Sequence, residues 1–126
     1  MTTSPRSFHI GEIWLSYLHF SDRPDLGKIR PVLIVDVQMD NALAVALKVT
    51  SKNPADGRKS TPIPEWKSCG LRKPSYVRTD QIFEIPTASL LGKEPLGALS
   101  QARLATILQL LDDESTESPE QERFPS

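Results

Sequence analysis

The chain has 126 residues, 15 Lys and Arg against 16 Asp and Glu, and a formal net charge of −1, enough for one domain with a modest core. No apolar run approaches the roughly 18 residues of a membrane span, and the first residues lack the apolar segment of a secretory signal. Cys69 is the single cysteine, which excludes an internal disulfide and a CxxC zinc site and fits a reducing, cytoplasmic setting.

Eleven prolines and an aromatic content of 6% point to many short elements rather than a helical bundle. The charge is unevenly spread. Residues 112–126 hold six acids and one base, leaving fourteen bases against ten acids in the body, a charge of +4. Within that body, Lys48 to Arg78 carries eight bases against Asp56 and Glu65. A basic middle section is either a solvated face or the sequence-independent part of a phosphate-binding surface.

Taken in order, residues 1–9 form a loose arm ahead of the domain. Gly11-Glu12-Ile13-Trp14-Leu15-Ser16-Tyr17 reads as a first strand, rich in β-formers. Leu18 to Ile29 is a connection with turn chemistry in Ser21-Asp22-Arg23-Pro24-Asp25 and Gly27. Pro31 fixes its own φ and pushes Arg30 into the extended region, so a second strand starts there and ends near Asp36. Val32-Leu33-Ile34-Val35 shows no alternation, as expected of a strand covered on both faces.

Met39-Asp40-Asn41 offers a turn, and Ala42 to Thr50 returns as a hairpin partner, bringing Lys48 to Ser51 toward Arg30. Asn53-Pro54-Ala55-Asp56-Gly57 is a loop, and Thr61-Pro62-Ile63-Pro64 is an edge strand at most. Ser75 to Asp80 alternates as a strand that continues extended to Ile85. After Ser100, a candidate N-cap, Leu104, Ile107, Leu108 and Leu111 fall on one face of a helix. From Asp112 the acidic, polar composition predicts a disordered tail. The expected fold is a small, bent antiparallel β-domain over residues 10–111, closed by one C-terminal helix.

Three groups at strand ends converge in this scheme: Arg30 before Pro31, Thr50-Ser51, and Arg78 with Asp80. Gly11-Glu12-Ile13-Trp14-Leu15, Arg30-Pro31-Val32-Leu33-Ile34-Val35, Val49-Thr50-Ser51 and Val77-Arg78-Thr79-Asp80-Gln81, in this order and followed by the helix, resemble the PemK/MazF family of toxin endoribonucleases. The resemblance covers roughly residues 10–111. It implies an SH3-like β-barrel, a homodimer, cofactor- and metal-independent cleavage of single-stranded RNA, and a cognate antitoxin protein. In that family the ribose 2′-OH attacks the adjacent phosphate and leaves a 2′,3′-cyclic phosphate.

By the same resemblance Arg30 binds the scissile phosphate, Thr50 hydrogen-bonds it with Ser51 alongside, Asp80 is the candidate base and Arg78 stabilises the leaving group. An arginine is a poor proton donor near neutrality, so electrostatic stabilisation suits Arg78 better than proton transfer. Read from spacing alone, Arg78 and Asp80 at i and i+2 equally form a plain salt bridge, and Thr50-Ser51 a turn cap. Tyr17, His19, Arg23 and Lys52 are candidate RNA contacts, Tyr17 and His19 by stacking on unpaired bases. The chain departs from members that carry a histidine in the loop after the first strand: Ser21 to Asp25 has none, leaving Arg23 or His19 for that role.

Trp14 reads as core, Phe20 as partly buried, Cys69 as a small buried residue, and Trp66 stays open between core and surface. Beside the nuclease stands a second reading, an inactive barrel that binds RNA or protein without cutting. A duplex-DNA regulator fits less well, since no recognition helix is apparent.

Overall fold

In the computed structural model, residues 7–19, 25–38, 42–52 and 60–123 are described, with side chains as far as residue 112. Seven strands form one sheet: β1 (Glu12–His19), β2 (Gly27–Gln38), β3 (Leu43–Thr50), β4 (Ser60–Ile63), β5 (Ser75–Pro86), β6 (Leu90–Leu91) and β7 (Gly97–Ala98). The order across it is β4-β5-β3-β2-β1-β6, with β7 also on β1, and every pairing is antiparallel. No pairing joins β4 to β6 among the described residues, so this SH3-like, barrel-like sheet stays open there. Among the described residues one α-helix, α1 (Gln101–Arg123), follows.

Two elements extend beyond their expected limits. β2 begins at Gly27 rather than Pro31, because Gly27 to Arg30 already pair with His19 to Ser16 of β1. Arg30 therefore sits inside a long strand, not at its mouth. Pro31 is tolerated because the pairing with β3 starts only at Val32, where β2 gains its second neighbour. Helix α1 likewise does not stop at Leu111: its backbone stays helical to Arg123, through residues expected as a disordered tail. The Met39–Asn41 turn, the Asn53–Gly57 loop and the arm before residue 7 lie outside the described residues.

The apolar run of β2 is covered on both faces, and successive residues feed different clusters. Leu33 packs with Ile13, Leu47, Val49, Ile63, Cys69, Val77 and Ile107. Val32 and Ile34 pack with Trp14, Leu18, Ala44, Ala46, Ile85 and Leu90. Helix α1 closes the first cluster with buried Ile107 and half-buried Leu104 and Leu111, while Leu108, expected on the same stripe, stays exposed.

The start of α1 is held from outside the helix. Ser100 Oγ accepts the Arg103 N–H at 3.2 Å, as expected of an N-cap. Glu65, from the turn after β4, accepts from both the backbone N–H and the hydroxyl of Ser100, at 3.1 and 2.8 Å. A carboxylate reaching back to the N-cap N–H completes the logic of a capping box, supplied here from a distant segment. Gly11 and Gly70 serve close approaches of the same end. Gly11 has φ +99° and lies where a Cβ would press Leu104; Gly70 has φ +82°, and its Cβ would overlap the Leu96 carbonyl.

Candidate active site

Cross-strand register sets the site. Ser16 of β1 is opposite Arg30, Val32 is opposite Lys48, and Lys48 is opposite Arg78 on the far side of β3. Directly paired residues share a face, and so do residues two apart. Arg30, Lys48, Thr50, Arg78 and Asp80 therefore lie on the face that carries Val32, Ile34 and Ala46. Along the strands that face turns from apolar core to a cluster of cations, one carboxylate and several hydroxyls, among them Thr50, its partner Tyr76, Ser16 opposite Arg30 and Ser60 opposite Arg78.

Three of these groups have definable local geometry. Thr50 Oγ1 accepts the Lys52 N–H at 3.1 Å, the turn-capping bond that the sequence offers as an alternative role. A hydroxyl that accepts there keeps its own hydrogen for a phosphate oxygen. The Arg78 guanidinium grips Asp80 in a bidentate pair, Nε to Oδ1 at 3.0 Å and Nη2 to Oδ2 at 2.9 Å. The remaining N–H groups of Arg78 and the unused lone pairs of Asp80 stay available for a substrate. Asp80 occupies a register irregularity: β3 steps from Leu47 to Lys48 while β5 runs from Ile82 back to Arg78. Such irregularities re-aim side chains next to functional sites.

Arg30 is exposed, and among the described residues its side chain makes no hydrogen bond. Ser51 and Lys52 are exposed just past the end of β3. Lys48 is half-buried between its two arginine-bearing neighbours. Its ammonium is held below the ordinary lysine value first by burial, then by the like charges of Arg30 and Arg78, with Asp80 opposing and Lys52 adding. Sequence reading placed Lys48 near Arg30 without assigning it a role; its position two residues before Thr50, on the same face, is the signal that was available.

Tyr17 and His19 are exposed and in edge-to-face contact, ring centroids 5.2 Å apart. Tyr17 pairs with Ile29, one residue off the Ser16–Arg30 pair, so both rings sit on the opposite face of β1 from Ser16. They are not brought together with Arg30. Arg23 and Phe20 lie outside the described residues.

The remaining conspicuous residues are structural. Trp14 is buried, lies 4.9 Å from the Phe8 ring, and donates its indole N–H to Glu12 at 3.0 Å. Glu12 also accepts the His9 N–H at 2.9 Å, which gives the acid of the Gly-Glu-Ile-Trp segment a fastening role. Trp66 is half-buried against the first cluster with the Lys67 ammonium 5.5 Å from its ring centre. Cys69 is buried, its Sγ donates to the Ala98 carbonyl at 3.4 Å, and burial pushes its thiol up. Among the described residues, no three His, Cys, Asp or Glu side chains gather to hold a metal, and no helix is long and apolar enough to cross a membrane.

Fold and site together define a small antiparallel β-domain with a cationic, anion-ready cluster on one sheet face. The family model for the PemK-like, MazF-like toxin of type II toxin–antitoxin systems matches residues 9–113, and the chain belongs to that family. Two solved structures share the fold. A Mycobacterium tuberculosis toxin, MazF-mt6, is 21% identical with a TM-score of 0.60, covering 81% of this chain and 93% of its own. An endoribonuclease from a mycobacterial species is 22% identical with a TM-score of 0.58, covering 86% and 88%. Among curated proteins no sequence matches.

Proposed function

We propose that this chain is the toxin of a toxin–antitoxin pair and an endoribonuclease that cuts single-stranded RNA at specific sequences without a metal. The 2′-OH attacks the neighbouring phosphorus, the bond to the 5′-oxygen breaks, and a 2′,3′-cyclic phosphate and a free 5′-OH result. Arg30 binds the phosphate and stabilises its developing charge, and Thr50 donates a hydrogen bond to it. Asp80 takes the 2′-OH proton, and Arg78 orients Asp80 while facing the phosphate. Ser51, Lys52 and Arg23 contact flanking phosphates, and Tyr17 and His19 stack on unpaired bases beyond the sheet edge. A homodimer in the cytoplasm, silenced by an antitoxin over the RNA surface, completes the reading.

The observation that carries it is the register that sets Arg30, Lys48, Thr50 and Arg78 with Asp80 on one face of three adjacent strands. Together with family membership, that supports a reading in which phosphate-binding charge and a carboxylate base lie at one place. The closed Arg78–Asp80 pair favours one alternative, a barrel that binds RNA or protein and does not cut. Long single-stranded RNA, incubated with purified protein in EDTA and mapped for new ends, separates the two. Cleavage that persists in EDTA and disappears in Arg30→Ala is the expected result. RNA binding with no new ends would establish the binding module instead.

A further inference from the structure

Cleavage by internal attack needs a proton for the departing 5′-oxygen, and none of the groups assigned above supplies one readily. Arg30 and Arg78 do not release protons near neutrality. Asp80 accepts the proton of the nucleophile, and Thr50 is a far weaker acid than an ammonium. Among the described residues, Lys28, Lys52 and the Tyr76 phenol also carry acidic hydrogens on or beside this face, and Lys48 is the one at its centre, on the strand between β2 and β5.

The geometry points to Lys48 as the general acid of this site, a catalytic residue whose ammonium protonates the leaving 5′-oxygen. This rests on the endoribonuclease reading. β3 lies between β2 and β5, so Lys48 is the central member of the cluster, opposite Val32 on one side and Arg78 on the other. Arg30 stands two residues from Val32 on β2, and Thr50 two residues from Lys48 on β3. A phosphate held by Arg30 and Thr50 therefore lies alongside Lys48, with Asp80 on the far flank of the same face. Base and acid then sit on separate strands, which leaves them room to flank the phosphate on the two sides that in-line displacement uses.

The charged surroundings suit the role. Arg30 on β2, Arg78 on β5 and Lys52 after β3 crowd the ammonium, and Asp80 alone opposes them. β4 contributes only Ser60, opposite Arg78. Burial and the like charges make the ammonium a readier donor than an ordinary lysine. In the step, the 2′-oxygen forms its bond to phosphorus as Asp80 takes the hydroxyl proton. The P–O5′ bond breaks, its electron pair goes to O5′, and a proton from Lys48 Nζ completes the 5′-OH. Solvent then returns a proton to the neutral amine and removes one from Asp80.

Two RNA substrates with the same sequence test this, one with the natural 5′-oxygen and one with a bridging 5′-sulfur, whose thiolate leaves without protonation. Lys48→Met is expected to slow the all-oxygen RNA by about 10²–10⁴-fold and the sulfur-bridged RNA by less than about 10-fold. Lys48→Arg, which keeps the charge but not the proton, should remain at least about 100-fold slow on the oxygen substrate alone. Equal slowing of both RNAs, no slowing, or rescue by arginine would overturn the assignment.

The unaltered protein gives a check independent of variant folding. Its rate on the oxygen substrate should fall at alkaline pH with a midpoint below the ordinary lysine value of 10.5, and that fall should vanish with sulfur. A fall shared by both substrates counts against Lys48. Failure of the unaltered protein to cut either RNA removes the endoribonuclease reading and this role with it, whereas normal cutting by the Lys48 variants removes this role alone.

Discussion

Arg78 and Asp80 meet through two parallel hydrogen bonds, 3.0 and 2.9 Å, between residues two apart on one strand. The pair is fixed by the pleat, which points both side chains to the same face, and it needs no third residue to hold it. About a quarter of each side chain is exposed, 25% and 29%, so it contributes at most about 1 kcal/mol to stability. Under the proposed function its value lies in aiming the carboxylate. Asp80→Asn should slow RNA cleavage by about 10²–10⁴-fold while shifting the melting midpoint by no more than a few degrees. Arg78→Lys, which cannot make the fork, should lose about 100-fold. Initial rates and melting curves on the same preparations check both, and activity lost only in step with unfolding would contradict the assignment.

Tyr17 and His19 occupy the opposite face from Arg30, and under the proposed function that separates binding from chemistry. Replacing Tyr17 by Ala should raise KM for RNA by about 10-fold or more, the worth of one stacked base, and leave kcat within about 3-fold. His19→Ala should do the same more weakly, since its ring supports Tyr17 from the edge. Steady-state kinetics on a short oligonucleotide separate the two constants. A fall confined to kcat would place these rings in the reaction itself.

The tie between Glu65 and Ser100 predicts an acid-sensitive helix start. The Ser100 hydroxyl, then its backbone N–H, hold the Glu65 carboxyl below its ordinary value of 4.5. A carboxyl depressed in the fold adds stability at higher pH and loses it as pH falls below about 4.5 through the folded value. Glu65→Gln should therefore melt lower than the unaltered protein at pH 7 and converge with it in acid. Ser100→Ala, which removes the cap, should cost about 1 kcal/mol, roughly 4 °C.

Lys48 runs in the other direction. Its charged form is disfavoured in the fold, so the penalty is present at neutral pH and is relieved as pH rises through the depressed value toward 10.5. Lys48→Met should melt about 1–3 °C higher than the unaltered protein at pH 7, with the gap closing in alkali. A midpoint that drops at pH 7 would show that the ammonium is stabilising where it stands.

Much of this was legible from local chemistry. The unalternating Val32 to Val35 announced a strand buried on both faces, the two prolines around Ile63 announced an edge, and Ser100 with its apolar stripe announced α1. Strand limits were less legible. Pro31 looked like a beginning because a proline cannot serve a central strand, yet β2 has only one neighbour there. At the end of α1, composition favours disorder from Asp112, while the helix backbone continues to Arg123.

In the site, the even spacing of Arg78 and Asp80 was legible within one strand, whereas Arg30 and Thr50 join them on one face through register across β2, β3 and β5. Two residues before Thr50, Lys48 shares its face by local spacing, but its pairing with Arg78 depends on how β5 lies against β3. No local pattern carries that. For the same reason the opposed placement of Tyr17 had to come from register.

The irregularity in β5 reaches further than Asp80. One step along β3, from Lys48 to Leu47, spans four along β5, from Arg78 to Ile82, so three residues are in excess. Three is odd, and an odd excess exchanges the two sides of the strand. Before it, Val77 faces the cluster under α1 and Arg78 faces the site; after it, Ile85 faces the Trp14 cluster, on the side Arg78 held. Val77 and Ile85 are eight residues apart, an even spacing that unbroken alternation would put on one side of the sheet. The extra residues at Thr79–Gln81 let one strand serve the helix-covered cluster at its start and the Trp14 cluster at its end, with Asp80 carried on the segment where the sides change over.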